Sequence, residues 1–148
     1  MIKFSIETKK KITLSEIDVV LTNDHKLELS TDCRNAIITC RKYLDAKVNS
    51  TDTPIYGVNT GFGALCNVRI ESSQLSELQA NLVRSHACGT GNEIPQRIVK
   101  LMLFLKIRSL SYGNSGVSIE TMERLVFFFN EDRSEEHTSE LQSQSTIS

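Results

Sequence analysis

Polar and apolar positions change period twice within the first thirty residues. Lys3-Phe4-Ser5-Ile6-Glu7 alternates, and a two-residue period marks a strand with one buried face. Thr13-Leu14-Ser15-Glu16 fits the capping-box pattern, so a short helix begins there and turns Ile17, Val20 and Leu21 inward. His25-Lys26-Leu27-Glu28-Leu29-Ser30 alternates again, and the two strands are expected to pair as a short β-hairpin near the amino terminus. From about Thr31 to Val48 the apolar residues Cys33, Ile37, Cys40, Leu44 and Val48 recur at spacings of three and four, which is one stripe on a longer helix. Pro54 disfavours helix at Thr53 and leads in extended form into Ile55-Tyr56.

Ser73 to Ala87 predicts another amphipathic helix, with Leu75, Leu78, Leu82 and Val83 inward and a stop at Cys88-Gly89. Pro95 suits the first position of the next helix, which runs to about Tyr112 and ends at Gly113. Its polar positions are few, mainly Lys100, Lys106 and Arg108. A helix apolar on most sides needs neighbours on most sides, so burial in a larger domain or an oligomer interface is expected. Ser118 caps a last helix containing Ile119, Met122, Leu125, Val126 and Phe127-Phe128-Phe129. The fold class is mainly α. Beyond Asp132 the composition shifts to Ser, Glu, Gln and Thr, with only Leu141 and Ile147 apolar. Residues 133–148 are therefore expected to be disordered, and they resemble translated adapter or vector sequence more than a natural tail. Residues 1–132 form the region to be explained.

Charge narrows the class of partner. A net charge of −1 with scattered Lys and Arg is not the footprint of a nucleic-acid binder, and Lys9-Lys10-Lys11 reads as a solvated edge. No run approaches the roughly 20 apolar residues of a membrane span, and the amino terminus has no signal-peptide h-region. A cytoplasmic setting is expected, with Cys33, Cys40, Cys66 and Cys88 as reduced, mostly buried thiols. Cys66, His86 and Cys88 match no common zinc spacing, so no metal site is expected.

Candidate chemistry centres on Tyr56-Gly57-Val58-Asn59-Thr60-Gly61-Phe62-Gly63. Three glycines in seven positions permit positive φ and close approach to the backbone. The loop lacks the spacing of a phosphate-binding motif, which excludes nucleotide binding of that kind. Tyr56 reads either as a proton carrier delivered by the loop or as a tyrosine packed at a loop edge. His86 reads either as a helix-end residue or as a hydrogen-bond partner for a polar substrate ring.

Four ordered segments resolve these alternatives by resemblance. They are Tyr56 to Gly63; Leu78-Gln79, Asn81-Leu82-Val83 and Ser85-His86-Ala87; Gly89 and Gly91; and Ser111-Tyr112-Gly113-Asn114-Ser115-Gly116-Val117. Together they resemble the amino-terminal part of the histidine and aromatic amino acid ammonia-lyases. The resemblance implies a helical fold that assembles as a homotetramer, acting on a small amino acid. It implies a 4-methylidene-imidazole-5-one electrophile, formed in the family from an Ala-Ser-Gly tripeptide that occurs nowhere in these 148 residues. Tyr56 is then the essential tyrosine of the family's mobile loop, and Gly57, Asn59, Thr60, Gly61, Phe62 and Gly63 belong to that active-site loop. His86 and Ser85 occupy the positions that sort substrates, and a Ser-His pair resembles the histidine lyases. The implied reaction is deamination of L-histidine to trans-urocanate, with this chain inactive alone. The alternatives are a tyrosine ammonia-lyase or tyrosine aminomutase fragment, and a non-catalytic helical association module.

Overall fold

The computed structural model describes residues 2–22, 25–50, 53–60, 70, 74–87 and 92–132. Strand β1 (Ile2–Ile6) leads through helix α1 (Leu14–Thr22) into strand β2 (His25–Leu29), and helix α2 (Thr31–Ser50) follows. Helices α3 (Leu75–His86), α4 (Gln96–Leu110) and α5 (Ile119–Asn130) complete the order. The molecule is mainly α, as the apolar spacing predicts.

The expected hairpin is corrected. β1 and β2 pair in parallel, with Ile2 opposite His25 and Ile6 opposite Leu29. A hairpin needs antiparallel strands, and a tight turn suffices to join them. Here α1 lies between the strands and returns the chain to the end from which β1 started, so the second strand runs the same way. The alternation identified both strands but carried no information on direction.

Helix starts follow their side chains. Thr13 and Glu16 cap α1 reciprocally: the Glu16 N–H donates to Thr13 Oγ1 at 3.2 Å, and the Thr13 N–H donates to Glu16 Oε2 at 2.9 Å. At α5 the Thr121 N–H donates to Ser118 Oγ at 3.2 Å. The start of α2 docks into the core through Cys33 and Ile37, while Cys40, Leu44 and Val48 further along are only half-buried. The predicted stripe is thus real but only its first turns are covered.

The core lies where the small sheet meets α4 and α5. Ile6, Leu27 and Leu29 from the strands join Leu103, Phe104, Ile107, Met122, Leu125 and Phe129. Phe104 is central, with ring centroids 6.2 Å from Phe4 and 6.1 Å from Phe129. Such aromatic contacts add to the area effect that dominates here. The turn after α4 needs Gly113: its φ is +68°, and a Cβ there would meet the Ala36 carbonyl carbon at 2.7 Å. Both the left-handed backbone and the close approach of α2 demand the absence of a side chain.

Two polar groups join distant parts of the chain. Arg108 on α4, a position the pattern gives to solvent, is buried. Its guanidinium donates to the carbonyls of Glu7 and Lys10 and to Ser111 Oγ, and it stacks 4.9 Å from the Tyr112 ring centroid. Asn130, at the end of α5, covers the outer edge of β2. Its Oδ1 accepts from the Leu27 N–H at 2.7 Å and its Nδ2 donates to the Leu27 carbonyl at 3.0 Å. One amide thus makes the pair of bonds that a third strand would otherwise make at that position.

Candidate active site

The segment from Thr53 to Thr60 is held by its own buried polar residues. Ile55 O accepts from the N–H groups of Val58 and Asn59 at 3.1 and 3.2 Å. Asn59 turns back on the same residue: its Oδ1 accepts from the Ile55 N–H at 2.6 Å, and its Nδ2 donates to Thr53 O at 3.4 Å. The Asn59 carbonyl accepts from the Ile70 N–H at 2.9 Å. Thr60 Oγ1 accepts from the Gly57 N–H at 3.3 Å. Both Asn59 and Thr60 are buried, and Gly57 takes a φ of +71° that permits the turn.

These bonds present Tyr56 outward. The residue is 64% exposed. Sequence reasoning placed Asn59 and Thr60 in the loop but missed that they are its internal frame. The available signal was the residue type, since asparagine in a turn favours side-chain bonds to nearby backbone. Gly61, Phe62 and Gly63 lie outside the described residues.

Ser85 and His86 close α3. The Ala87 N–H donates to Val83 O at 2.9 Å and ends the last turn. Ser85 Oγ and His86 Nδ1 lie 2.9 Å apart, and both residues are exposed. The structure therefore brings the two predicted selectivity residues into direct contact. A phenol and an imidazole of this kind can each exchange a proton with a bound molecule or hydrogen-bond to it. A groove of about 400 Å³ opens elsewhere, between β2, α2 and α5, lined by residues including Arg34, Glu123 and Phe127; Tyr56, Ser85 and His86 do not line it.

The thiol of Cys33 is buried, 3.5 Å from Ser111 O, and desolvation pushes its pKa up, which suits packing and not nucleophilic attack. No group of three or more His, Cys, Asp or Glu side chains able to hold a metal ion occurs among the described residues. No helix among them is long and apolar enough to cross a membrane.

Known proteins are similar to this chain in sequence and in fold. Residues 12–133 match the family model described as aromatic amino acid lyase. A histidine ammonia-lyase of Deinococcus radiodurans is 43% identical over 123 residues, covering 83% of this chain and 23% of that protein. Among solved structures, the phenylalanine aminomutase of Pantoea agglomerans superposes with a TM-score of 0.80 at 30% identity, covering 89% of this chain and 25% of the other. The histidine ammonia-lyase of Trypanosoma cruzi gives a TM-score of 0.66 at 33% identity, over 77% of this chain and 23% of the other. The chain spans about a quarter of the length of the relatives it matches. With residues 12–133 matching the family model and 43% identity to one histidine ammonia-lyase, the chain belongs to the aromatic amino acid lyase family.

Proposed function

We propose that this chain is the amino-terminal region of a histidine ammonia-lyase, which converts L-histidine to trans-urocanate and ammonia. The observation that carries the reading is the Ser85-His86 pair at the exposed end of α3, an imidazole being the kind of group that hydrogen-bonds a polar substrate ring. The identity to the D. radiodurans histidine ammonia-lyase supports the same substrate. In this reading His86 binds the substrate side chain and Tyr56, outward on its framed loop, holds or moves a proton at its phenolic oxygen.

The 148 residues contain no Ala-Ser-Gly tripeptide, so in this reading the methylidene-imidazolone is not formed by this chain. The chain alone is accordingly expected to release no urocanate from L-histidine. The test is a chimera in which residues 12–132 replace the matching region of the D. radiodurans lyase. Turnover of L-histidine that drops at least a hundredfold on Tyr56→Phe, in the range of a lost general acid or base, supports the reading. Turnover of tyrosine with none of histidine sinks it.

The likeness to an aminomutase favours a second reading, in which the intact protein shifts the amino group of an aromatic amino acid. A β-amino acid product from the same chimera would select it.

A further inference from the structure

We propose that Asn59 is a positioning residue for Tyr56: it fixes the backbone from which the phenol projects, and Thr60 completes the hold. This deepens the proposed function and rests on it for the proton that Tyr56 holds or moves.

The direction of a side chain follows from the two peptide planes that flank its Cα, because those planes define φ and ψ. Four consecutive planes lead from Thr53 to Gly57, and each is held by Asn59 or Thr60. In the first, Thr53 O accepts from Asn59 Nδ2. In the second, the Ile55 N–H donates to Asn59 Oδ1. In the third, Ile55 O accepts from the Asn59 N–H, with the Val58 N–H beside it. In the fourth, the Gly57 N–H donates to Thr60 Oγ1. The third and fourth planes are the ones that flank Tyr56. Its Cα–Cβ bond therefore has a set direction, and only the side-chain torsions are left to aim the ring.

Burial divides the labour. Asn59 and Thr60 lie inside the turn, while Tyr56 is exposed. Removing the Asn59 carboxamide would leave the Ile55 N–H and Thr53 O without it, and the glycine at position 57 adds backbone freedom on the far side of Tyr56. A group that exchanges protons must sit within hydrogen-bond reach of its target, and a misplacement of about 1 Å can cost about a hundredfold in rate. Asn59 thus contributes to turnover through Tyr56 and need not touch the substrate.

The test is a double-mutant cycle in the chimera that carries residues 12–132 within the D. radiodurans lyase. Asn59→Ala should lower kcat for L-histidine by about tenfold or more while KM changes little. In the Tyr56→Phe background the same substitution should cost almost nothing, since a phenyl ring has no proton to place. Thr60→Val removes the acceptor at constant shape and should also lower kcat; Thr60→Ser keeps the hydroxyl and should restore most of the loss. Equal losses from Asn59→Ala in both backgrounds overturn the proposal, because Asn59 then supports the fold and does not act through Tyr56. Full turnover in Asn59→Ala overturns it as well. A chimera that ignores L-histidine overturns the substrate reading, and the placement is then decided on the 148-residue chain by backbone ¹⁵N relaxation. The Tyr56 order parameter is expected at about 0.85, falling below about 0.6 in Asn59→Ala with the helices unaffected. A value that Asn59→Ala leaves unchanged overturns the proposal without any turnover being measured.

Discussion

The carboxylate of Glu16 accepts from the Thr13 backbone and hydroxyl and pairs with Lys10 Nζ at 2.9 Å. The Lys10 hydrogen bond, followed by the two from Thr13, holds its pKa down at about 2, against an ordinary 4.5. A depressed folded-state pKa means that Glu16 contributes stability above about pH 4.5, and that this contribution is lost as pH falls toward about 2. Glu16→Gln should therefore lower the urea midpoint between pH 6 and 8 and flatten its decline between those two pH values. Identical acid limbs for the two proteins would remove Glu16 from the account. This cap was legible in Thr13-x-x-Glu16 because both partners are local. Tyr56 and His86 were legible as candidates for the same reason: each sits in a motif of contiguous residues. Asn59 was only half legible, because its partners Ile55 and Thr53 are near in sequence but its burial is not written there.

Elements were legible one by one and illegible in their pairing. Periods of two and of three to four located both strands and all five described helices, but the direction of β2 relative to β1 depends on how α1 packs. Arg108 shows the same limit. The pattern counts it as a polar, outward position, yet its guanidinium ties α4 to the segment between β1 and α1. Its partners lie about a hundred residues away, beyond any local window. Arg108→Met keeps the length of the side chain and removes the donors, leaving the carbonyls of Glu7 and Lys10 without them. The expected cost is about 2 kcal/mol, typical of losing hydrogen bonds to a charged group. Hydrogen exchange should quicken most in residues 7–12. Uniform quickening across the chain would show that Arg108 supports the whole core and does not tether one segment.

At the scale of the molecule, α4 explains both the core and what the core leaves open. Val99, Leu103, Phe104 and Ile107 face inward, while Ile98, Met102 and Leu105 are 48%, 50% and 45% exposed along one side. Spacings of four and three align those three as a stripe. The excess apolar character read from sequence is this stripe. An exposed apolar band of this kind promotes association. Ile98→Glu with Met102→Lys should shift sedimentation velocity profiles toward the monomer at unchanged helical circular dichroism; equal self-association in both proteins would place the contact elsewhere. The bracket between Asn130 and Leu27 has a different kind of consequence. The two residues stand 103 positions apart, so β2 is synthesised long before the amide that seals its edge. At roughly 5–20 residues per second, the nascent chain carries that open edge for about 5–20 seconds. A ribosome that stalls before residue 130 leaves it open for good, and strand-to-strand capture between neighbouring nascent chains is then a hazard of translation itself.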